Sequence, residues 1–343
     1  MTTRNATRSD PVPVHRMAVV QPFAHFLSDI GASVERGFRR ARLPYTALDD
    51  VDHYVPSHRF WAFLVDMSRA EGIQDLGFRV GKRFGADSPD PQLAGLLQQA
   101  PTVYSALQTA SEVCNRTISH CQVGILQPPN CDHACFYHKP SCRADHPAVE
   151  QIGWFGVMFL CDVVRGCVGA HWQPAEIGVM THKPPGEFIR EHFPHARLRR
   201  AQDFSYITLE KSLLSLPPLG QKTLTPGITL PHYESLPEDF VSSLEQIMLS
   251  YILEKEVNLD LTAYLCDLSK RSLQRQLTEL GTSYSAVLDK ARFQTASLLL
   301  RNPDTKITEI AHRLGYSDVA HFARAFRRLA GITPREFQQT HSA

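Results

Sequence analysis

A chain of 343 residues is longer than one hydrophobic core ordinarily organises, which points to two domains. With 43% apolar and 21% charged residues its composition is that of a folded globular protein, and a net charge of +1 selects no partner by itself. No run of eighteen apolar residues exists; the best candidate, residues 152–170, is interrupted by Asp162 and Arg165, so neither a membrane span nor a membrane partner is expected.

Residues 1–16 (MTTRNATRSDPVPVHR) lack the apolar centre of a secretory signal and read as a disordered polar tail, so a cytoplasmic protein is expected. Residues 17–215 read as an α+β domain. Behind Pro56 and Ser57, residues 58–70 form an amphipathic helix with Phe60, Phe63, Leu64 and Met67 on one face. Another helix opens at residues 100–107, with Pro101 near its first turn. Residues 121–127 and 134–139 are β-rich and are separated by Pro128, Pro129 and Asn130, the pattern of a hairpin. Residues 149–168 read as a largely buried helix, 176–180 as a strand, 188–193 as a short helix and 204–209 as a last strand. The order of these strands is not legible.

Eight cysteines at irregular spacing predict no disulfide framework. The densest group, Cys131, His133, Cys135, His138 and Cys142 with His146 nearby, has the residue types of a zinc site or a redox switch. It lacks CxxC or HxxxH spacing, and strand alternation puts Cys135 and His138 on opposite faces, so no metal and no cofactor is assigned. Trp154, Phe155, Met158 and Phe159 on the buried helix are candidates for an apolar effector pocket or plain core. Arg190, Arg199 and Arg200 are candidates for holding a carboxylate or are simply solvated.

From Ser215 to Pro231 the chain carries four prolines and two glycines, which no helix or central strand tolerates, and residues 216–237 are read as an interdomain linker. Everything after it reads as helix. Residues 238–253 place Phe240, Leu244, Ile247, Met248 and Tyr251 near the helical period, and the domain 238–343 is expected to be all-α with about seven helices. From Ser269 onward there are twelve Lys or Arg against six Asp or Glu, the electrostatic footprint of a nucleic-acid binder.

A helix-turn-helix needs a small residue where its helices cross, a tight turn, and a second helix with a polar outer face. Residues 307–316 supply the first helix of one such unit, with Ala311 at the crossing and Gly315 in the turn. Ser317 and Asp318 cap a helix over 319–330, with Phe322, Phe326 and Leu329 inward and His321, Arg324, Arg327 and Arg328 outward. Gly331 ends this helix, and Pro334 starts a last one containing Phe337. An earlier unit runs through Ala263 and Asp267 to a helix capped by Ser269. There Leu273 and Leu277 face inward and Arg271, Gln274 and Arg275 outward, side chains that fork onto guanine or adenine edges. Residues 284–301 between the units read as a rigid spacer of about 25 Å, against roughly 34 Å for one DNA turn.

The runs SKRSLQRQLTELGTSYSAVLDKAR and ITEIAHRLGYSDVAHFARAFRRLAGITPREF strongly resemble the AraC/XylS family of bacterial transcription regulators over about the last ninety residues. The resemblance implies base reading through the positions of Arg271, Gln274 and Arg275 in the first recognition helix. In the second it implies Val319, Ala320, His321 and Arg324. Two departures stand out: Asp267 occupies a turn position that usually holds Gly, and Val319 and Ala320 are apolar where some members carry amides. The segments HRFWAFLVDMSRAEGIQDLGFRVGKRF, LAGLLQQAPTVYSAL and EFIREHFPHARLRRAQDFSYITL resemble, more loosely, the effector domain of the ornithine-utilisation regulators. This implies a small-molecule sensor domain that also supports a homodimer.

The expected protein is therefore a DNA-binding regulator, with activation as the expected direction, controlled by an unidentified effector and partnered by double-stranded DNA and RNA polymerase. The expected DNA contacts are Ser269, Lys270, Arg271, Gln274, Arg275, Ser317, Asp318, His321, Arg324 and Arg328. The alternative is an effector-independent regulator whose first domain only dimerises. An enzyme, such as the DNA-repair proteins that pair this domain with an alkyl-accepting cysteine, is not expected: the Pro-Cys-His-Arg run they use is absent, as are Gly-x-Ser-x-Gly, P-loop and His-Glu-x-x-His motifs.

Overall fold

A computed structural model describes residues 10–87, 91–220, 236–254 and 257–341. The α+β character of the first domain and the all-α character of the last hundred residues are both present. The chain forms two compact units, and neither is a continuous stretch. One comprises residues 19–41 and 60–236, the other residues 1–18, 42–59 and 237–343.

In the first of these, five strands lie in the order β3 (Gln122–Leu126), β4 (His133–Lys139), β7 (Ser205–Glu210), β5 (Glu176–Gly178) and β6 (Arg197–Arg199). All neighbours are antiparallel except β5 and β6. The hairpin, the strand at 176 and the last strand lie where the residue pattern puts them; β6 carries no such pattern, since a three-residue Arg-Leu-Arg segment has no period to read. Along β4 the side chains of Ala134, Phe136 and His138 face the core, while Cys135 and Tyr137 are half-exposed on the other face. The outer edge of β3 is closed by a side chain: Asn115 accepts from the Val123 N–H at 2.8 Å and donates to its carbonyl at 3.0 Å.

Helix Val149–Val168 forms the centre of this unit. It is the one described helix long and apolar enough to cross a membrane, but it is mostly buried within the protein. Its two charged interior residues, Asp162 and Arg165, pair at 3.4 Å, and burial raises the Asp162 carboxyl to about 6. Helix Leu76–Asp87 crosses it so closely at Gly77 that any Cβ there would overlap the Gln151 carbonyl. The Gln151 amide fastens the same crossing, accepting from Gly77 N–H and donating to the Gln74 carbonyl, both at 2.8 Å. Helix Val103–Thr117 starts one residue after Thr102, which forms a capping box with Ser105; Pro101 lies just outside the helix.

The expected linker at 216–237 falls mostly outside the described residues, and its first part is not a linker. Leu216 accepts from Val103 N–H at 2.8 Å, and Leu219 N–H donates to the Cys167 carbonyl at 2.6 Å, so this stretch pairs with the α+β unit.

The second unit holds the expected seven helices after residue 237 among the described residues. It also takes in segments that the sequence pattern assigned elsewhere. Residues 14–16, expected in a disordered tail, form strand β1 (Val14–Arg16), antiparallel to β2 (Tyr54–Pro56), and are fully or nearly buried. This ribbon packs on helix Phe240–Tyr251: Val12 N–H donates to Ser243 Oγ and Tyr54 N–H to Ser250 Oγ, each at 2.9 Å. The Tyr251 hydroxyl donates to the Arg42 carbonyl at 2.7 Å. Three residues of strand leave too short a hydrophobic alternation to be seen in the sequence.

Candidate nucleic-acid interface

The two helix-turn-helix units are built by one backbone device. In the first, helix Leu259–Leu265 crosses at Ala263, which is buried, and the Leu268 N–H donates to the Ala263 carbonyl at 2.9 Å. In the second, helix Ile307–Arg313 crosses at buried Ala311, and the Tyr316 N–H donates to the Ala311 carbonyl at 3.0 Å. Each bond closes over a left-handed residue, Asp267 at φ 55° and Gly315 at φ 76°. The unusual aspartate therefore makes the same turn as the glycine, at the strain a side chain incurs in that region.

Recognition helix Lys270–Glu279 is capped by Ser269, whose hydroxyl accepts from Ser272 N–H at 3.1 Å. Leu273 and Leu277 are fully buried, leaving Arg271, Gln274 and Arg275 exposed on the opposite face. Lys270, also expected at the DNA, forms an ion pair with Asp260 at 2.8 Å.

Recognition helix Val319–Ala330 is capped by Asp318, which accepts from His321 N–H at 2.7 Å; this bond holds the Asp318 carboxyl below the usual carboxylate range. The Ser317 hydroxyl lies beside that carboxylate. Phe322 and Phe326 are buried, but Leu329, expected inward, is 47% exposed. Seven residues past Phe322 it keeps nearly the same helical face, but it stands in the last turn of the helix, beside the C-cap Gly331, where the buried stripe stops at Phe326. His321 and Arg324 are exposed, with the His321 ring against Tyr316 at 5.5 Å. Arg328 pairs with Asp289 of the spacer helix Tyr284–Leu299. That spacer spans 16 residues, about 24 Å at 1.5 Å per residue.

Burial also aligns the two recognition helices in a way the residue pattern alone did not show. The turns repeat at 48 positions (Ala263 with Ala311, Asp267 with Gly315), whereas the buried pairs of the recognition helices repeat at 49 (Leu273 with Phe322, Leu277 with Phe326). The second unit thus has one extra residue between turn and helix. By the helix register Arg275 corresponds to Arg324, while Arg271 and Gln274 correspond to Ala320 and Ala323. The shared position was legible in the sequence, but only by matching inward residues instead of turns.

The effector candidates fall in a different setting. Trp154 and Met158 are 2% and 1% exposed, packed in the core, and the Phe155 ring lies tilted against that of Phe23, with centroids 4.9 Å apart. Phe159 packs half-buried on the same core. None of the four lines either of two surface hollows. One, of about 440 Å³, is bordered by His182, Leu198, Arg199 and Arg200. The other, of about 490 Å³, is bordered by Ser68, Arg69, Gln74, Glu150, Gln151 and Lys183. Arg199 pairs with Glu176 at 2.7 Å, Arg200 donates to the His182 carbonyl at 3.1 Å and Arg190 to the Pro185 carbonyl at 2.6 Å. Among the described residues no three His, Cys, Asp or Glu side chains converge as metal ligands.

A helix-turn-helix domain model matches residues 263–340, and the model for the N-terminal arabinose-binding domain of AraC transcription regulators matches residues 31–218. An uncharacterized HTH-type transcriptional regulator of Mycobacterium tuberculosis is 41% identical over 73 residues, 21% of each chain. The HTH-type transcriptional activator RhaS of Escherichia coli is 40% identical over 85 residues, 24% of this chain and 31% of its own. The chain thus spans about a fifth to a third of the curated relatives it matches. The crystal structure of the transcriptional regulator CdpR from Pseudomonas aeruginosa aligns over 94% of this chain and 98% of its own, at 20% identity and a TM-score of 0.43. With one family model matching more than half of its length and a second matching both helix-turn-helix units, the chain belongs to the AraC-type DNA-binding transcription regulators.

Proposed function

We propose that this regulator reads its operator chiefly through the first recognition helix, with Arg271, Gln274 and Arg275 toward base edges, and through Arg324 in the second. The register of the two helices carries this reading: three exposed hydrogen-bonding side chains in one unit stand against one arginine and two alanines in the other. Ser269 and Asp318 act by capping the helices that present these groups, Ser317 supports the Asp318 carboxylate, and His321 lies at the edge of the contact.

The α+β unit is the effector domain in this proposal, and the protein works in the cytoplasm as an activator that contacts RNA polymerase, as a homodimer. The support for activation is the likeness to RhaS, described as a transcriptional activator. With Trp154 and Met158 committed to the core, the effector is placed in the hollow bordered by Ser68, Arg69, Glu150 and Lys183, whose volume is in the range of small-molecule sites. Control requires that the effector bind two states of the protein with different affinity.

The test is selection of duplexes from random sequence by the full chain, followed by footprinting with and without metabolites. Two adjacent protected segments, the more sequence-restricted one assigned to the first unit, are expected. An equal or reversed split in information content refutes the asymmetry. Affinity unchanged by every small molecule that raises the melting temperature refutes effector control.

A further inference from the structure

The spacer helix meets the second unit through a single face. Asp289, Arg292 and Phe293 stand at i, i+3 and i+4, neighbours on a helix surface. The Asp289 carboxylate pairs with Arg328 near the end of the second recognition helix. The Arg292 guanidinium lies 4.8 Å from the centre of the Tyr316 ring, at the turn that launches that helix. The Phe293 ring packs on Phe326 at 5.0 Å. On another side of the same helix Lys290 reaches Glu245 at 2.6 Å, holding the spacer to the helix that precedes the first unit. The phenylalanine contact is non-directional and tolerates sliding, whereas the two arginine contacts depend on geometry and define one register.

An acidic side chain in a positively charged DNA-binding domain weakens the attraction to phosphate, and Asp289 offsets this only if it acts through its partner. We propose that Asp289, Arg292 and Arg328 are positioning residues that set the spacing and phase between the two recognition helices, and with them the number of base pairs the protein accepts between its two contact segments. The inference rests on the reading above that both recognition helices enter the groove. It gives Arg328 a role different from a phosphate contact, and the two roles predict different measurements.

The experiment uses the full chain and a duplex selected from random sequence by the wild type, with one base pair inserted or removed between the two footprinted segments. Asp289→Asn, Arg292→Met and Arg328→Ala are each expected to reduce the preference for the selected spacing by about 2- to 5-fold, the span an exposed pair contributes. The slope of log affinity against log salt stays that of the wild type. Exchanging the pair, Asp289→Arg with Arg328→Asp, restores the preference, which rules out simple misfolding of the single variants. The proposal is overturned if Arg328→Ala weakens every spacing equally and makes the salt slope shallower by about one, the mark of a lost phosphate contact. It is equally overturned if all three variants keep the wild-type preference. A wild-type footprint with one protected segment removes the two-helix reading and this proposal together, and shows itself before any variant is made.

Discussion

At the scale of single residues, the first recognition helix concentrates the chemistry. Arg275 is exposed on the face opposite Leu273 and Leu277, and its counterpart in the second unit is Arg324. Arg275→Ala is expected to weaken specific binding by about 1–3 kcal/mol and to relax preference at one base position, as read by a binding titration over all single-base variants of the site. An unchanged base preference there rules the residue out as a reader. A second residue matters for a different reason. His138 is buried on the core face of β4, its Nδ1 has no hydrogen-bond partner, and burial lowers its pKa to about 4 from an ordinary 6.5. Between those values the unfolded chain takes up a proton that the folded one does not. Stability is therefore whole above pH 6.5 and is lost as pH falls toward 4, with a slope of up to about 1.4 kcal/mol per pH unit. His138→Gln should flatten that part of the curve in denaturant titrations; an identical acid slope would show that other groups carry it.

At the scale of elements, the sheet edge is controlled by one side chain. Asn115 satisfies both backbone groups of Val123 and so occupies the place a further strand would take. Asn115→Ala should cost about 1–3 kcal/mol, because it leaves two backbone groups without their partner, and should increase self-association in sedimentation. A variant as stable and as monodisperse as the wild type would show that water replaces the amide at no cost. The helix pattern was legible here wherever a cap or a long period marked it. Residues 149–168 and the three capped helices at Val103, Lys270 and Val319 begin within about three residues of where the sequence places them. The stripe of inward residues stops at Phe326: Leu329 keeps that face of the helix but stands in its last turn, where it is left exposed.

At the scale of the molecule, the DNA-binding unit is larger than its helix-turn-helix sequence. Residues 10–18 and 42–59 complete it, through the β1–β2 ribbon and the bonds from Val12, Tyr54 and Tyr251. Arg59 adds to this closure: its guanidinium lies 4.0 Å from the centre of the Tyr264 ring, beside the first turn, and donates to the Tyr264 hydroxyl. A fragment of residues 236–343 gives up, besides the exposed Arg59–Tyr264 contact, the three hydrogen bonds that join Val12, Tyr54 and Arg42 to helix Phe240–Tyr251. Each is worth about 1 kcal/mol net, and a domain near 100 residues shifts by about 4 °C or more per kcal/mol. Calorimetry should show the fragment melting roughly 10 °C below the DNA-binding transition of the full chain. Coincident transitions would show that these segments add nothing to its stability.

The sequence by itself determined the class of each region, the two turn-and-recognition modules and the residues they present. Those features are local: helical period, caps, left-handed turns and charge are set within a few residues of one another. Only the tertiary structure decided the strand order β3-β4-β7-β5-β6, the recruitment of residues 10–18 and 42–59 into the DNA-binding unit, and the pairing of Arg328 with Asp289. Each of these joins residues distant in the chain, where short strands carry almost no periodic signal and an exposed arginine looks the same whether it meets a phosphate or a carboxylate. Burial and partner choice, which follow from the packed whole, are what separate those outcomes.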